Sequence, residues 1–122
     1  MTVMVKNTGQ PDELRKMPNG NGQGAIVHVG GMIVVRGELH PGWRWSNDLQ
    51  AMAGTASCEV EHTGIMLEGC LHIEMDDGTA IDLTPGDVYA IPPGHDAWVV
   101  CDEVVRSIDW APGNEEFAKP PR

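Results

Sequence analysis

The sequence predicts an all-β domain, a sandwich or barrel of short strands. From Ala25 onward, runs of alternating or wholly apolar residues are interrupted by Gly, Pro or Asp-Gly. These interruptions come at the spacing of roughly eight to twelve residues that is typical of such folds. The chain has 122 residues, of which 41% are hydrophobic and 21% charged. That length and composition predict one folded domain with a single core.

The N-terminal residues predict an irregular arm rather than a second domain. The stretch QPDELRKM (10–17) favours a turn or two of helix, because Pro11 is tolerated at the first helical position. The following PNGNGQG (18–24) contains three glycines, which stop any regular element. We therefore expect an arm over residues 1–24, a barrel over 25–111 and a C-terminal tail over 112–122.

The middle of the chain predicts a succession of hairpins. Residues 71–75 (LHIEM) alternate between apolar and polar side chains, which predicts a half-buried strand that turns His72 toward water. The pair Asp77-Gly78 favours a tight hairpin turn, because both residues tolerate the left-handed conformation. Further strands are predicted in AIDL (80–83), on both sides of the Pro-Pro-Gly corner of VYAIPPGHDAWVV (88–100), and in VVRSIDW (104–110).

The charge of the chain argues against two classes of partner. The formal net charge is −10, from 18 acidic and 8 basic side chains. Without a cluster of Lys and Arg, nucleic acid and anionic membranes are poor partners. The longest apolar run is far shorter than a bilayer span, and the first residues lack the apolar core of a secretory signal. We expect a cytoplasmic protein.

The cysteines indicate reduced thiols rather than a disulfide framework. There are three, an odd number, and none forms a CxxC pair. Cys70 and Cys101 are expected to pack as small hydrophobic residues.

Two motifs in the second half of the chain resemble those of the cupin superfamily. In MLEGCLHIEMDDGTAIDLTPGDVYAIPPGH (66–95), Gly86, Pro92 and Gly94 occupy the glycine and proline positions of the second cupin motif, and Gly69 closes the first. The resemblance covers roughly residues 30–110. It implies a double-stranded β-helix, the jelly-roll barrel of two antiparallel sheets.

The resemblance also places candidate metal ligands. The ligand positions of the family fall on Ala56, Cys58, His62 and Ala97, so the usual set of histidines and a glutamate is absent. His95 lies two residues before Ala97. Together Cys58, His62 and His95 offer one thiolate and two imidazoles, donors that suit Zn²⁺, Fe²⁺ or Cu better than Mg²⁺ or Ca²⁺. A divalent transition metal is therefore the expected cofactor.

A regular strand would keep two of these ligands apart. Cys58 and His62 would project to the same side, but roughly 13 Å apart at ~3.3 Å per residue. A bulge or bend must shorten that gap, as the barrel wall does in cupins. The alternative is that Cys58 packs as a core thiol and His95 hydrogen-bonds the Pro-Pro-Gly corner. Asp96 is a candidate partner to fix the tautomer of a ligating histidine.

Two tryptophans are candidate ligand-binding residues. Trp43 and Trp45, in HPGWRWSN (40–47), are predicted to share one face of a strand at the barrel mouth and to stack on a planar or apolar small molecule. They could equally plug the barrel or line a dimer seam. By contrast, Trp98 is predicted to point out of the barrel.

Three functional interpretations remain open at this point. The first is a small-molecule-binding cupin with a metal site, and the second a metal-dependent enzyme such as a dioxygenase, isomerase or lyase. Catalytic residues are unknown, although Tyr89, His40 or Glu68 could reach the pocket. The third is a metal-free barrel retained for dimerisation. The resemblance also implies a homodimer, because cupins of this length often pair through a sheet edge or the N-terminal arm, and an open β-edge is a liability unless it is covered.

Overall fold

The structure, a computed structural model, describes residues 2–113. Within this range the chain forms nine strands and two single helical turns. In chain order they are β1 (Glu13–Lys16), β2 (Gly22–Val29), β3 (Met32–Leu39), α1 (Trp45–Asp48), α2 (Gln50–Ala53), β4 (His62–Glu68), β5 (Leu71–Met75), β6 (Ala80–Leu83), β7 (Val88–Ile91), β8 (His95–Val99) and β9 (Val105–Pro112).

The strands form two antiparallel sheets, as the predicted all-β barrel requires. One sheet has six strands in the order β1-β2-β3-β9-β4-β7, and the other has three in the order β6-β5-β8. Strand β9 lies between β3 and β4, where it pairs Ile33 with Ala111 and Gly64 with Asp109. The hairpin predicted at Asp77-Gly78 joins β5 to β6, with Leu71 opposite Leu83. The all-β prediction is confirmed.

The main core lies between the sheets, because strands of both sheets contribute buried apolar residues to one cluster. Met66 of β4 and Val105 of β9 are completely buried. Burial of such a side chain contributes about 1.5–3 kcal/mol relative to leaving it in water. The buried residues of the main cluster are Trp43, Trp45, Cys58, Met66, Ile73, Leu83, Ile91, Ala97 and Val105.

The predicted N-terminal helix is wrong, because its residues form a strand. Glu13–Lys16 is β1, which pairs with β2 in the register Glu13 to Ile26. The carboxylate of Asp12 accepts the backbone N–H of His28 at 2.8 Å and binds Lys6, which ties the arm to the sheet. Pairing with a long neighbour strand outweighs a weak local preference for helix. The arm therefore extends the barrel wall.

The strand predicted to carry the two tryptophans is also absent. Trp43 follows a turn at Gly42, whose φ of 93° is left-handed, and Trp45 begins α1. Asp48, which is only 6% exposed, accepts the backbone N–H of Arg44 at 2.8 Å. It also accepts the side-chain amides of Asn19 at 2.6 Å and Asn21 at 3.2 Å. One buried carboxylate thus holds the helical turns against the β1–β2 turn.

The predicted tail, residues 112–122, lies almost wholly outside the described residues, and β9 extends to Pro112. Within residues 2–113, the structure has no helix with the length and apolar character needed to cross a membrane.

Candidate metal centre

Three donor side chains converge in the space between the sheets. A ligand atom from each of Cys58, His62 and His95 lies within 4.8 Å of the other two. The Sγ atom of Cys58 is 3.8 Å from Nε2 of His62, and the two imidazole centroids are 5.3 Å apart. Cys58 and His95 are buried, whereas the side chain of His62 is 24% exposed. The structure therefore brings the three predicted ligands together.

An irregular segment between Cys58 and His62 brings the two side chains close together. Cys58 is not in a regular strand with His62, as the sequence suggested, because β4 begins only at His62 and residues 59–61 have no regular structure. Cys58 instead forms an isolated bridge with His95, in which its N–H donates to the His95 carbonyl at 2.7 Å. The irregular residues reduce a strand spacing of roughly 13 Å to 3.8 Å between donor atoms.

Both histidines have one ring nitrogen held by the protein. Nδ1–H of His62 donates to Asp109 Oδ2 at 3.0 Å, and Nδ1–H of His95 donates to the Pro92 carbonyl at 2.8 Å. These bonds fix the neutral tautomer in which the Nε2 lone pair of each ring is available to bind a metal ion. Ligating histidines are usually oriented in this way.

Asp96, the expected hydrogen-bond partner of a ligating histidine, contacts neither the His62 ring nor the His95 ring. Its carboxylate accepts the N–H of Ser46 at 3.1 Å and pairs with Arg44 at 3.3 Å. Because it follows an inward-facing His95 in a strand, its side chain falls on the opposite face of β8.

Sequence reasoning missed Asp109, which lies on β9 opposite Gly64 of β4. Alternation along VVRSIDW places Asp109 on the same face as the fully buried Val105, and that parity is the signal that could have found it. Tyr89 of β7 donates its hydroxyl hydrogen bond to Asp109 Oδ1. Gly64 makes room for this pair, since a Cβ there would lie 2.5 Å from Asp109 Oδ1 and 2.7 Å from the Tyr89 hydroxyl.

The electrostatics of the cluster favour an ion pair between the thiol and an imidazole. Burial on its own would raise the pKa of Cys58, but hydrogen bonds from His62 and His95 outweigh it and lower that pKa to about 6. Burial likewise opposes charge on His62, but Asp109 and the Cys58 thiolate raise the pKa of His62 to about 9. Burial, with Asp109 beside it, raises the pKa of Tyr89, which stays protonated.

The donor geometry fits a transition metal ion. With bond lengths of about 2.3 Å to sulfur and 2.0–2.1 Å to nitrogen, tetrahedral ligands lie about 3.4–3.6 Å from one another. The 3.8 Å between Cys58 Sγ and His62 Nε2 is close to that value. A thiolate with two imidazoles of fixed tautomer is a ligand set for Zn²⁺, Fe²⁺ or Cu.

A cavity of about 850 Å³ adjoins the cluster. Its wall is mostly apolar, and Trp43 and Trp45, each 5% exposed, form part of it. Trp98 lies outside, where the Arg44 guanidinium stacks on it at 4.0 Å and the His72 ring lies 4.3 Å away. The other apolar side chains of the wall include Met17, Leu39, Leu49, Met52, Val60 and Ile91.

The remaining candidates divide between the cavity and the surface. Tyr89 and Ala97 line the cavity, whereas Ala56 is exposed. Glu68 binds Arg106 at 2.7 Å, and His40 lies 3.3 Å from Glu38, so neither belongs to the cavity wall.

Comparison with known proteins identifies the fold but no function. Neither a protein-family model nor a curated protein matches the chain. A solved double-stranded β-helix protein from Klebsiella pneumoniae is 23% identical over 90% of both chains, with a TM-score of 0.59. A cupin-2 domain from Rhodospirillum rubrum is 16% identical over 97% of this chain and 71% of its own, with a TM-score of 0.58. KdgF from a Halomonas species is 18% identical over 90% of this chain and 92% of its own, with a TM-score of 0.60.

These similarities define the fold. The chain has the cupin fold, a double-stranded β-helix, as its sequence motifs predicted. Its candidate site is a Cys/His/His cluster in the barrel.

Proposed function

We propose that this protein binds one divalent transition metal ion through Cys58, His62 and His95 and holds a small organic molecule in the adjoining cavity. The observation that carries the proposal is the convergence of a thiol and two imidazoles whose Nδ1 atoms are already hydrogen-bonded. Buried polar side chains in that arrangement are what a metal site requires.

Three protein ligands leave a coordination position open to a small molecule. A transition metal held by Cys58, His62 and His95 would supply Lewis-acid chemistry to a ligand that reaches this position. The chain itself contributes ring orientation through Asp109 and Pro92 and a largely apolar wall.

The cavity favours a ligand with an apolar or planar body. Trp43 and Trp45 present rigid aromatic surface, and Leu49 and Ile91 continue the same wall. Its polar groups include Tyr89, whose hydroxyl hydrogen is already given to Asp109. A polyhydroxylated ligand would therefore lose hydrogen bonds to water along much of this wall.

Elemental analysis of protein purified without a polyhistidine tag tests the metal site. We expect about one equivalent of Zn, Fe or Cu per chain, and loss of that metal in Cys58→Ser and His62→Ala. His72→Ala is the matched control, because His72 also pairs with an aspartate, Asp82 at 2.6 Å, but on the outer face. Wild-type protein that stays metal-free after incubation with each ion would remove the proposal.

Tryptophan fluorescence tests the ligand class. Phenylacetate and gluconate carry the same carboxylate on an aromatic and on a polyhydroxylated body. We expect phenylacetate to quench the metal-loaded wild type and gluconate to have little effect, with the response lost in Trp45→Phe and kept in Trp98→Phe. The same quenching by gluconate would contradict the ligand class without touching the metal site.

A metal-dependent enzyme, such as a dioxygenase, isomerase or lyase, is the second candidate. The observation that favours it is the Tyr89 hydroxyl, a protonated group in the cavity wall and linked through Asp109 to His62. The hydroxyl oxygen can accept a hydrogen bond from a bound molecule while its own hydrogen goes to Asp109, so Tyr89, Asp109 and His62 could relay a proton. Turnover lost in Tyr89→Phe with metal content unchanged would support an enzyme.

We also propose a cytoplasmic homodimer. Among residues 2–113, no strand pairs with the outer edge of β1, and Val3, Met4 and Val5 are 85%, 60% and 83% exposed. A second copy would cover such an edge. Size-exclusion chromatography with light scattering checks this proposal, and a monomer at micromolar concentration would contradict it.

A further inference from the structure

Cys70 and Cys101 lie side by side at one end of the three-stranded sheet. Cys70 precedes β5, and Cys101 follows β8 by two residues. The register pairs Leu71 with Val99, and the N–H of Val100 donates to the Cys70 carbonyl at 3.2 Å. This end of β8 is opposite to the one where His95 meets Cys58.

The two cysteine side chains lie close together. The Sγ atom of Cys101 is 4.0 Å from the Cys70 carbonyl oxygen, and the Cys101 thiol is near enough to the Cys70 thiol to affect its pKa. Both residues are free cysteines and only partly buried, so a small reagent can reach them. The hydrogen bond to Cys101, with Glu103 and Asp82 nearby, holds the pKa of Cys70 above its ordinary value. A raised pKa lowers the thiolate fraction of Cys70 at neutral pH, so thiol–disulfide exchange at this residue should be slow.

We propose that Cys70 and Cys101 form a reversible intramolecular disulfide when the protein meets a low-molecular-weight disulfide such as oxidised glutathione. The thiolate of one cysteine attacks the oxidant's S–S bond, which breaks and releases one glutathione thiol. The second cysteine attacks the resulting mixed disulfide and releases the other glutathione thiol. The cysteine pair loses two electrons and two protons, and the two glutathione molecules gain them.

The disulfide would link the start of β5 covalently to the end of β8 in the three-stranded sheet. The loop that it closes contains β5, β6, β7 and β8, and such a closure removes freedom from the unfolded chain. The metal centre lies at the other end of β8, so the proposed bridge and the proposed ion do not compete for a thiol. This inference does not depend on the proposed function.

Peptide mapping of the full chain tests the bridge. The protein is equilibrated in glutathione buffers from fully reduced to fully oxidised, quenched with iodoacetamide and cleaved after glutamate. Cuts after Glu59, Glu68, Glu74 and Glu103 place the three cysteines in separate peptides. We expect residues 69–74 linked to residues 75–103 in oxidised samples, with no link from either peptide to the one that contains Cys58.

The variants make the test specific. Cys101→Ser and Cys70→Ala should abolish the linked peptide, and Cys58→Ser should leave it unchanged. The thermal denaturation midpoint should rise on oxidation of the wild type and stay constant in Cys101→Ser. A link that involves Cys58, a link that forms only in urea, or a lower midpoint after oxidation would overturn the inference.

Discussion

Asp109 holds the side of the His62 ring that faces away from Cys58. Its Oδ2 atom accepts Nδ1–H at 3.0 Å, while Nε2 of the same ring lies 3.8 Å from Cys58 Sγ. The carboxylate comes from β9 and the imidazole from the first residue of β4, which are neighbours in the six-stranded sheet. Sheet pairing therefore sets the orientation of a candidate metal ligand.

The variant Asp109→Asn should weaken metal binding. The amide keeps the shape of the side chain but lacks the charge that supports the ring, and outer partners of this kind change metal affinity by about 10–100-fold. Competition with a chromophoric chelator measures the dissociation constant.

Asp82→Asn is the control for this variant, because Asp82 makes the same contact with His72 outside the cavity. Equal affinities in wild type and Asp109→Asn would mean that Asp109 does not support the metal ligand.

The metal-free protein should have a reactive Cys58 at neutral pH. The pKa of this thiol is lowered from 9.0 to about 6, so its alkylation rate should level off above pH 6 and fall about tenfold per pH unit below it. His62→Ala should move the midpoint of the rate profile back toward the ordinary thiol value. Mass spectrometry of alkylated peptides gives the rate for Cys58 alone.

The lowered pKa of Cys58 also predicts how the unfolding free energy of the metal-free protein depends on pH. A lowered pKa in the folded state contributes stability that is fully present above the unfolded value of 9.0 and is lost as pH falls through about 6. The raised pKa of His62 acts in the opposite sense, because its contribution is fully present below 6.5 and is lost as pH rises through about 9. The ion pair therefore exists between about pH 6 and pH 9, and the cost of Cys58→Ser in the metal-free protein should be largest within that window. Urea denaturation at several pH values measures this cost, and a cost that is no larger inside the window than outside it would contradict the ion pair.

Gly64→Ala should disturb the support of His62. The added methyl would clash with the backbone carbonyl of Ile108 in β9 and would meet Asp109 Oδ1 at 2.5 Å and the Tyr89 hydroxyl at 2.7 Å. We therefore expect a loss of about 1–3 kcal/mol in unfolding free energy and weaker metal binding. In the control Gly24→Ala, the new methyl meets only Val35 Cγ1, at 3.2 Å. If both variants behave alike, Gly64 is not needed for the Asp109–Tyr89 pair.

Trp45→Ala should destabilise the fold more than Trp98→Ala. Trp45 is 5% exposed within the main core cluster, and its truncation should cost about 3–5 kcal/mol. Trp98 packs on the outer face against Arg44 and His72, where less area is lost. Urea denaturation of both variants measures the difference, and equal costs would show that Trp45 is not part of the core.

The sequence predicted the fold wherever the signal was local. Alternation in residues 71–75 and the turn at Asp77-Gly78 correspond to β5 and the β5–β6 hairpin. The helix predicted over residues 10–17 was wrong, because the partner that makes Glu13–Lys16 a strand is β2.

The candidate site likewise has a part that the sequence predicted and a part that it could not predict. Residue type and motif position indicated Cys58, His62 and His95 as ligands. The irregular residues 59–61 bring Cys58 and His62 closer together than a regular strand would. The contact of His62 with Asp109 depends on which strands are neighbours in the sheet, and no local pattern contains that information.

The position of β9 between β3 and β4 also bears on when the proposed metal ion can bind during biosynthesis. During synthesis, the thiol and both imidazoles leave the ribosome before the strand that completes the barrel wall around them. A polypeptide at that stage lacks the carboxylate that steadies one of the rings. The proposed ion should therefore load onto finished, folded molecules, so the metal pool that fills the site is the one available after translation.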